Sequence, residues 1–241
     1  MNKSCLSLTN IEKTIGSKKI LSNISFSVEK NEIVGLLGPN GAGKTTAFYI
    51  AAGLMFPNHG RVLMSNKDVT NEPMHARANL GLGYLPQESS LFPDLSVEDN
   101  LFGITELLKH DKEHKIKKVA KIIDEFNLSK ILQIKGRMLS GGQRRKVEIA
   151  RTLICEPKIM LLDEPFAGID PIAVEEIKEL LLEIAKKNIS ILITDHNVRE
   201  TLSLCNKAIV LSNGMVIAEG NEESLKQNAH VKKEYFGEMF S

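Results

Sequence analysis

Three short strings in this chain carry residue types suited to chemistry on phosphates. The first is Gly38-Pro39-Asn40-Gly41-Ala42-Gly43-Lys44-Thr45-Thr46, in which Gly38, Gly43, Lys44 and Thr45 fill the spacing GxxxxGK[ST]. Glycines let backbone N–H groups close around bulky anions without Cβ clashes. A helix beginning near Lys44 adds its unpaired N–H groups and the positive end of its dipole. Lys44 can then reach the β- and γ-phosphates of a nucleoside triphosphate, and the Thr45 hydroxyl can hold Mg²⁺. A chance glycine turn is the bland alternative. It does not account for a full match set between a predicted strand and a predicted helix.

The second string is Asp163-Glu164, at the end of the apolar run Ile159–Leu162. Successive strand side chains point opposite ways, so the two acids can take different tasks. Asp163 suits Mg²⁺ coordination, and Glu164 suits polarising an attacking water as general base. Alone, such a pair usually caps the next element; beside a phosphate loop the catalytic reading prevails. The third string, Leu139-Ser140-Gly141-Gly142-Gln143, precedes a predicted helix to about Ile154 and has the makings of a second anion site. Arg144, Arg145 and Lys146 follow in that helix's first turn, where the dipole disfavours cations. They read equally as partners of a docked anion or as solvated basic side chains.

The elements that must position these strings are those of an α/β domain. Residues 5–37 read as β, with Ile24, Phe26 and Val28 alternating against Ser25 and Ser27. Short strands are expected at Arg61–Met64, Gly83–Leu85, Lys158–Leu162 and Ser190–Thr194. Residues 95–137 change to helical period: Ser96 and Asp99 form a capping pair, and Ile116, Val119, Ala120 and Ile123 follow i, i+3, i+4, i+7 spacing. They read as a helical lobe inserted into the core. Asp170-Pro171 opens a helix to about Lys187, and Asn197 with Glu200 caps another. Ala208–Leu211 and Met215–Ala218 flank the hairpin signal Asn213-Gly214. A polar, mostly helical tail occupies 221–241.

Composition narrows the partners. The chain has 241 residues and a net charge of +1, so no global field draws it to nucleic acid. The basic run Lys115–Lys118 reads as a solvated helix face. Cys5, Cys155 and Cys205 lack metal-ligand spacing and fit reduced cytoplasmic thiols. No apolar run approaches the ~20 residues of a membrane-spanning helix.

GPNGAGKTT, LSGGQ and LLDEP, in this order, resemble the nucleotide-binding subunits of ATP-binding cassette (ABC) transporters, across essentially the whole chain. The resemblance implies a P-loop ATPase core of mostly parallel sheet over residues 1–241. An antiparallel β subdomain and a helical subdomain at about 95–150 would join it. It implies a head-to-tail homodimer with two ATP between the copies, each held by the Lys44 loop of one and the Ser140–Gln143 loop of the other. It gives Gln87 the role of a Mg²⁺-sensing glutamine that links to a membrane partner, and His196 that of a switch histidine at the γ-phosphate. Ala167–Asp170 resembles the loop that crosses the dimer interface; Asp170 is also a plain helix cap. One position departs from the family pattern: where an aromatic residue stacks on adenine, this chain holds Ile15.

Within the family, GLLGPNGAGKTTAFY, HARANLGLGYLPQESSLF, LLDEPFAGIDPIAVEEIK and LITDHNVRETL resemble the ATPases of lipopolysaccharide export in Gram-negative bacteria, as does HVKKEYFGE near the end. This implies a peripheral ATPase on the cytoplasmic face of the inner membrane, under two different transmembrane subunits. The complex, rather than this chain, would handle lipopolysaccharide. Phe92 matches a position that lines the groove for a coupling helix; Pro93-Asp94 replace the basic residues that follow it in the family. The alternatives are the ATPase of a branched-chain amino-acid importer, against which Asp195–Leu202 stands, and a soluble cassette protein acting on ribosomes or DNA. Against the latter stand the single phosphate loop and the lack of a heptad run.

Overall fold

A computed structural model describes residues 4–109 and 111–237. The N-terminal hairpin pairs β1 (Ser4–Ile15) with β2 (Lys18–Glu29), placing Leu8 opposite Phe26 and Ile11 opposite Ile24. All four side chains are buried, as the alternation predicts. β3 (Ile33–Leu37) is buried throughout and runs into the glycine loop before α1 (Lys44–Ala52). β4 (His59–Met64) and β5 (Lys67–Asp68) complete an antiparallel sheet of order β2-β1-β4-β5. α2 (Met74–Ala78) leads to β6 (Leu82–Leu85).

Three helices follow: α3 (Val97–Thr105), α4 (Lys112–Glu125) and α5 (Gly141–Ile154). β7 (Ile159–Asp163), α6 (Pro171–Lys186), β8 (Ser190–Thr194), α7 (Val198–Leu204) and β9 (Lys207–Ser212) rebuild the alternating pattern. β10 (Met215–Gly220) turns back against β9, and α8 (Glu222–Gln227) opens the tail. The last four positions of the tail predicted as helical lie outside the described residues.

The second sheet has the order β10-β9-β3-β8-β7-β6, with every pair parallel except β10–β9. Its inner strands β3, β8 and β7 are buried throughout because helices and the antiparallel sheet cover both faces. Phe48 and Ile50 of α1 pack one face together with β1 and β2; Val147, Leu153, Ile177 and Leu181 of α5 and α6 pack the other. A third cluster joins Leu37, Val198 and Leu202 to Leu225, Val231 and Phe236 of the tail. Strands β3, β8 and β7 are neighbours and parallel, so the segments after Leu37, Thr194 and Asp163 leave the same edge of the sheet. In such sheets the crevice beyond the carboxyl ends is where ligands bind.

Capping follows the sequence closely. Ser96 and Asp99 form a reciprocal capping box on α3, Asp170 caps α6 with Pro171 in its first turn, and Asn197 caps α7 through the Glu200 N–H. The buried stripe of α4 differs from expectation. Val119, Ile122 and the following Phe126 are buried, whereas Ile116 is 46% exposed and Ala120 is exposed. Ile123 packs on the same core, so the stripe that faces it runs through Val119, Ile122, Ile123 and Phe126 and begins one turn later than expected. The Lys115–Lys118 run is solvated only in part: Lys117 pairs with Glu113 on the surface, but Lys115 and Lys118 are half-buried beside Glu106 and Glu156. Cys5, Cys155 and Cys205 are all unpaired.

Candidate active site

The glycine loop is shaped by positions that exclude side chains. Gly43 has φ +102°, and a Cβ there would sit 2.6 Å from Leu21 Cδ2. Gly43 is also the residue before α1, and no side chain caps that helix; no acidic residue stands in its first turn. Its N-terminal N–H groups are thus left to an anion. Lys44 is 8% exposed, and its Nζ donates to the carbonyls of Gly38 at 2.6 Å and Pro39 at 3.0 Å. Burial lowers its pKa, and the Glu164 carboxylate works against that. An incoming phosphate therefore meets an ammonium already held in place by the loop.

Lys44 opens onto a cleft of about 360 Å³. Asn40, Gly41, Ala42, Gly43, Thr45 and Thr46 line it on one side, and Asp163, Glu164, Thr194 and His196 on the other. Gly38 and Pro39 sit behind it as acceptors for Lys44. Asp163 is 5% exposed; burial, then the charge of Glu164, pushes its carboxyl up to about 6. Thr45 and Asp163 present hard oxygen donors to one cleft, a set that fits Mg²⁺, which takes one or two carboxylates and leaves its other positions to water and phosphate.

Glu164 adopts φ +47°, a left-handed conformation rare for a residue with a Cβ and a form of strain that collects at functional sites. Its N–H donates to Thr194 O at 2.7 Å, which ties the turn after β7 to the end of β8. Its carboxylate is held from both sides. His196 Nε2 donates to Oε1 at 2.7 Å, and Gln87 Nε2 donates to Oε2 at 2.8 Å. The structure thus brings two sequence-predicted residues, from two other loops, onto the carboxylate of a third.

Asp195 also contributes to the site. It is 4% exposed and accepts from the Phe166 N–H at 3.0 Å and the Asn197 N–H at 2.8 Å. Burial raises its pKa. It braces the two turns that carry Glu164 and His196 against each other. The only signal in the sequence is an acid after an apolar strand, which does not specify this use.

Ser140, Gly141, Gly142 and Gln143 do not line the Lys44 cleft of their own chain. Ser140 Oγ accepts from the Gln143 N–H at 3.3 Å while Gln143 Oε1 accepts from the Ser140 N–H at 3.1 Å, a capping box on α5. A Cβ on Gly142 would sit 2.5 Å from that of Ala173, so this glycine permits α5 to touch the start of α6. Asp170 Oδ1 accepts from the Ala173 N–H at 3.0 Å. The string and Asp170 therefore share one exposed surface, apart from the cleft.

The residues after it correct the sequence-based reading. Arg145 is neither solvated nor free for a docked anion: it is 5% exposed, bonded to the carbonyls of Pro86, Glu164 and Pro165, and paired with the Glu148 carboxylate. Arg144 donates to Leu139 O, and Lys146 lies 3.9 Å from Glu176. The dipole argument holds for exposed first-turn cations; here protein carbonyls and the Glu148 carboxylate supply the compensation.

Two further positions stand apart from the cleft. Ile15 lies at the end of β1, 48% exposed, and is not among the cleft's lining residues; Lys18 and Ile20 are, across the hairpin turn. Phe92 is 60% exposed, with Arg151 above its ring at 5.9 Å from the centroid and Asn100 bonding both its N–H and its carbonyl. Asp94, in the stretch that departs from the family pattern, forms an ion pair with Arg137. Arg151 also lines a groove of about 450 Å³ that has Tyr84, Ile104, Leu107 and Leu108 among its walls; Phe92 is not one of its lining residues. No described helix is long and apolar enough to cross a membrane.

Comparison with known proteins gives the following. The family model described as ABC transporter matches residues 21–167. The chain is 47% identical over 238 residues to the lipopolysaccharide export system ATP-binding protein LptB of Haemophilus influenzae, covering 98% of this chain and 99% of that protein. Among solved structures it is similar to the ADP conformation of an ATP-binding cassette of an ABC transporter. That likeness has a TM-score of 0.87 at 31% identity, over 97% of this chain and 99% of the other. It is also similar to a cassette solved as a dimer in a post-hydrolysis state with ADP and Pi, with a TM-score of 0.76 at 25% identity, over 90% of this chain and 98% of that one.

Proposed function

The chain belongs to the ABC transporter family, and from that premise we propose that it is the ATP-hydrolysing subunit of a lipopolysaccharide exporter. The observation that carries the enzymatic part is the Glu164 carboxylate, held by Gln87 and His196 at the mouth of the Lys44 cleft.

The phosphates of ATP enter the loop 38–46, where backbone N–H groups and the Lys44 ammonium meet their charge. Lys44 exchanges a loop carbonyl for a phosphate oxygen. Thr45 and Asp163 would hold Mg²⁺, which when bound neutralises charge on the phosphates. Glu164 polarises a water toward the γ-phosphorus: the new P–O bond forms as the bridging bond to the β-phosphate breaks, and the water proton leaves toward the carboxylate. His196 and Gln87 hold Glu164 by one oxygen each and so fix the direction of its free lone pairs. Once the cleft is filled, His196 Nε2 can turn from Glu164 to donate to a phosphate oxygen, and the Gln87 side chain would be free to help hold Mg²⁺ through its amide oxygen.

The Ser140–Gln143 string supports a second part of the reading. It lies outside its own chain's cleft yet carries an exposed helix N-terminus, so it is suited to the ATP of a second copy. We place two copies head to tail, the Ser140 string of each facing the Lys44 loop of the other, with Asp170 near the contact. The surface around the exposed Phe92 is the docking place for a helix of each of two transmembrane subunits. This puts the chain at the cytoplasmic face of the inner membrane. Lipopolysaccharide as cargo rests on the likeness to the Haemophilus protein.

The test is to tag the chain, solubilise native membranes in mild detergent, and identify what co-purifies. Two different membrane subunits with large periplasmic domains, and lipopolysaccharide-stimulated ATP hydrolysis by the complex, are the expected result. Importer-type permeases with a second, different cassette would overturn the export reading.

A further inference from the structure

Helix α5 carries a buried ion pair that the hydrolytic scheme above does not use. Arg145 Nη1 lies 3.2 Å from Glu148 Oε2, and the two residues are 5% and 2% exposed. Burying such a pair costs desolvation unless the remaining donors and acceptors are met. Two other segments meet them here. Arg145 donates to Pro86 O at 3.0 Å, Glu164 O at 3.0 Å and Pro165 O at 3.1 Å. Glu148 Oε1 accepts from Ser89 Oγ at 2.8 Å and from the Ser90 N–H at 2.9 Å. One turn on, Arg151 donates to Ser90 O and Ser90 Oγ, both at 2.7 Å.

The bonds fall on both sides of Gln87 and on the main chain of Glu164, the two residues whose side chains meet at 2.8 Å. A pair that served only to seat α5 on the sheet would need the main-chain contacts, but not Ser89, whose residue is exposed. We propose that Glu148, acting with Arg145, is a positioning residue for ATP hydrolysis: it fixes the Gln87 loop against the Glu164 turn, so that Gln87 reaches the base. The proposal rests on the reading of Glu164 as general base.

The test is steady-state ATP hydrolysis by the purified full chain with Mg²⁺, comparing wild type, Ser89→Ala, Glu148→Gln, Gln87→Ala and the Ser89→Ala/Gln87→Ala double variant. Ser89→Ala removes an exposed hydroxyl and should fold. It should lower kcat by about threefold, the scale of one lost hydrogen bond, with KM for ATP and Tm unmoved. Glu148→Gln, which removes the charge, should lower kcat by about tenfold or more. The double variant should be no slower than Gln87→Ala alone, because Ser89 acts through Gln87. A wild-type rate for Ser89→Ala, or losses that multiply in the double variant, would overturn the proposal. Glu164→Gln serves as control: its near-complete loss with an unaffected Ser89→Ala refutes the positioning role alone, whereas retained hydrolysis by Glu164→Gln refutes the base itself.

Discussion

Gln87 donates from Nε2 to Glu164 Oε2 at 2.8 Å, although the two residues stand 77 positions apart and on different loops. The bond joins the end of β6 to the end of β7, neighbouring strands whose register pairs Leu85 with Leu162. Sheet pairing therefore sets the separation of the two side chains, and the loop 86–92 trims it. Because Phe92 closes that same loop, a partner that shifts Phe92 acts on the residue that orients the base.

Gln87→Ala should lower kcat by about tenfold, since Glu164 keeps its bond to His196 but loses one of two orienting donors. ATP affinity should stay within about twofold, because the phosphate loop is untouched. Steady-state hydrolysis alongside equilibrium nucleotide binding separates the two effects.

Lys44→Ala should weaken ATP binding by at least about tenfold, the scale of a lost charge-assisted hydrogen bond. The fold should survive, because the Gly38 and Pro39 carbonyls that Lys44 now satisfies can turn to water. Titration with a fluorescent ATP analogue, with circular dichroism as the folding control, checks both halves.

Ser140→Arg should leave ATP binding by a single chain within about twofold, since Ser140 is not part of its own cleft. It should abolish the ATP-dependent dimer by placing bulk and an extra side chain where the second copy's nucleotide would sit, and it also removes the cap of α5, at a cost of about 1 kcal/mol. Light scattering at saturating ATP, with hydrolysis blocked, reads the dimer directly.

Asp163→Asn should stabilise the nucleotide-free chain, and more so at pH 8 than at pH 5. Burial and Glu164 raise the Asp163 carboxyl to about 6, above the ordinary aspartate value of about 3.8. Below both values the native and unfolded states are each protonated, and nothing is lost. Between them only the native state holds the proton, so stability from this group falls as pH rises, and the full penalty is present above about 6. Comparing Tm of the two proteins at the two pH values without Mg²⁺ should show the wider gap at pH 8. A gap that widens at pH 5 would contradict the assignment.

The chemistry-bearing strings were readable because each is local: glycines, a lysine and a threonine at fixed spacing, or two acids after an apolar strand. The strand ends that gather them follow from the same apolar runs. Side chains whose partners are distant in sequence were not readable. Arg77 is fully buried and donates to the carbonyls of Ile50 and Ala51 at the end of α1, a use that its place after a proline and a histidine does not signal. Asp195 and Arg145 are of the same kind. On α4 the expected positions Val119 and Ile123 pack on the core, but Ile122 and Phe126 join them there in place of Ile116 and Ala120, because the apolar residues around this helix offer two overlapping stripes of the same period. Ile15, placed beside the base by resemblance alone, lies at the end of β1 outside the residues that line the Lys44 cleft, which include Lys18 and Ile20.

The most direct test of the account is hydrolysis and dimerisation by Glu164→Gln. The amide keeps the size of the side chain but is no base, and the loops that bind nucleotide are unchanged. ATP turnover should fall by about a hundredfold or more, while the variant accumulates as an ATP-bound dimer on size-exclusion chromatography. Hydrolysis near the wild-type rate would show that another group activates the water, and the site as assembled around Gln87, Glu164 and His196 would have to be abandoned.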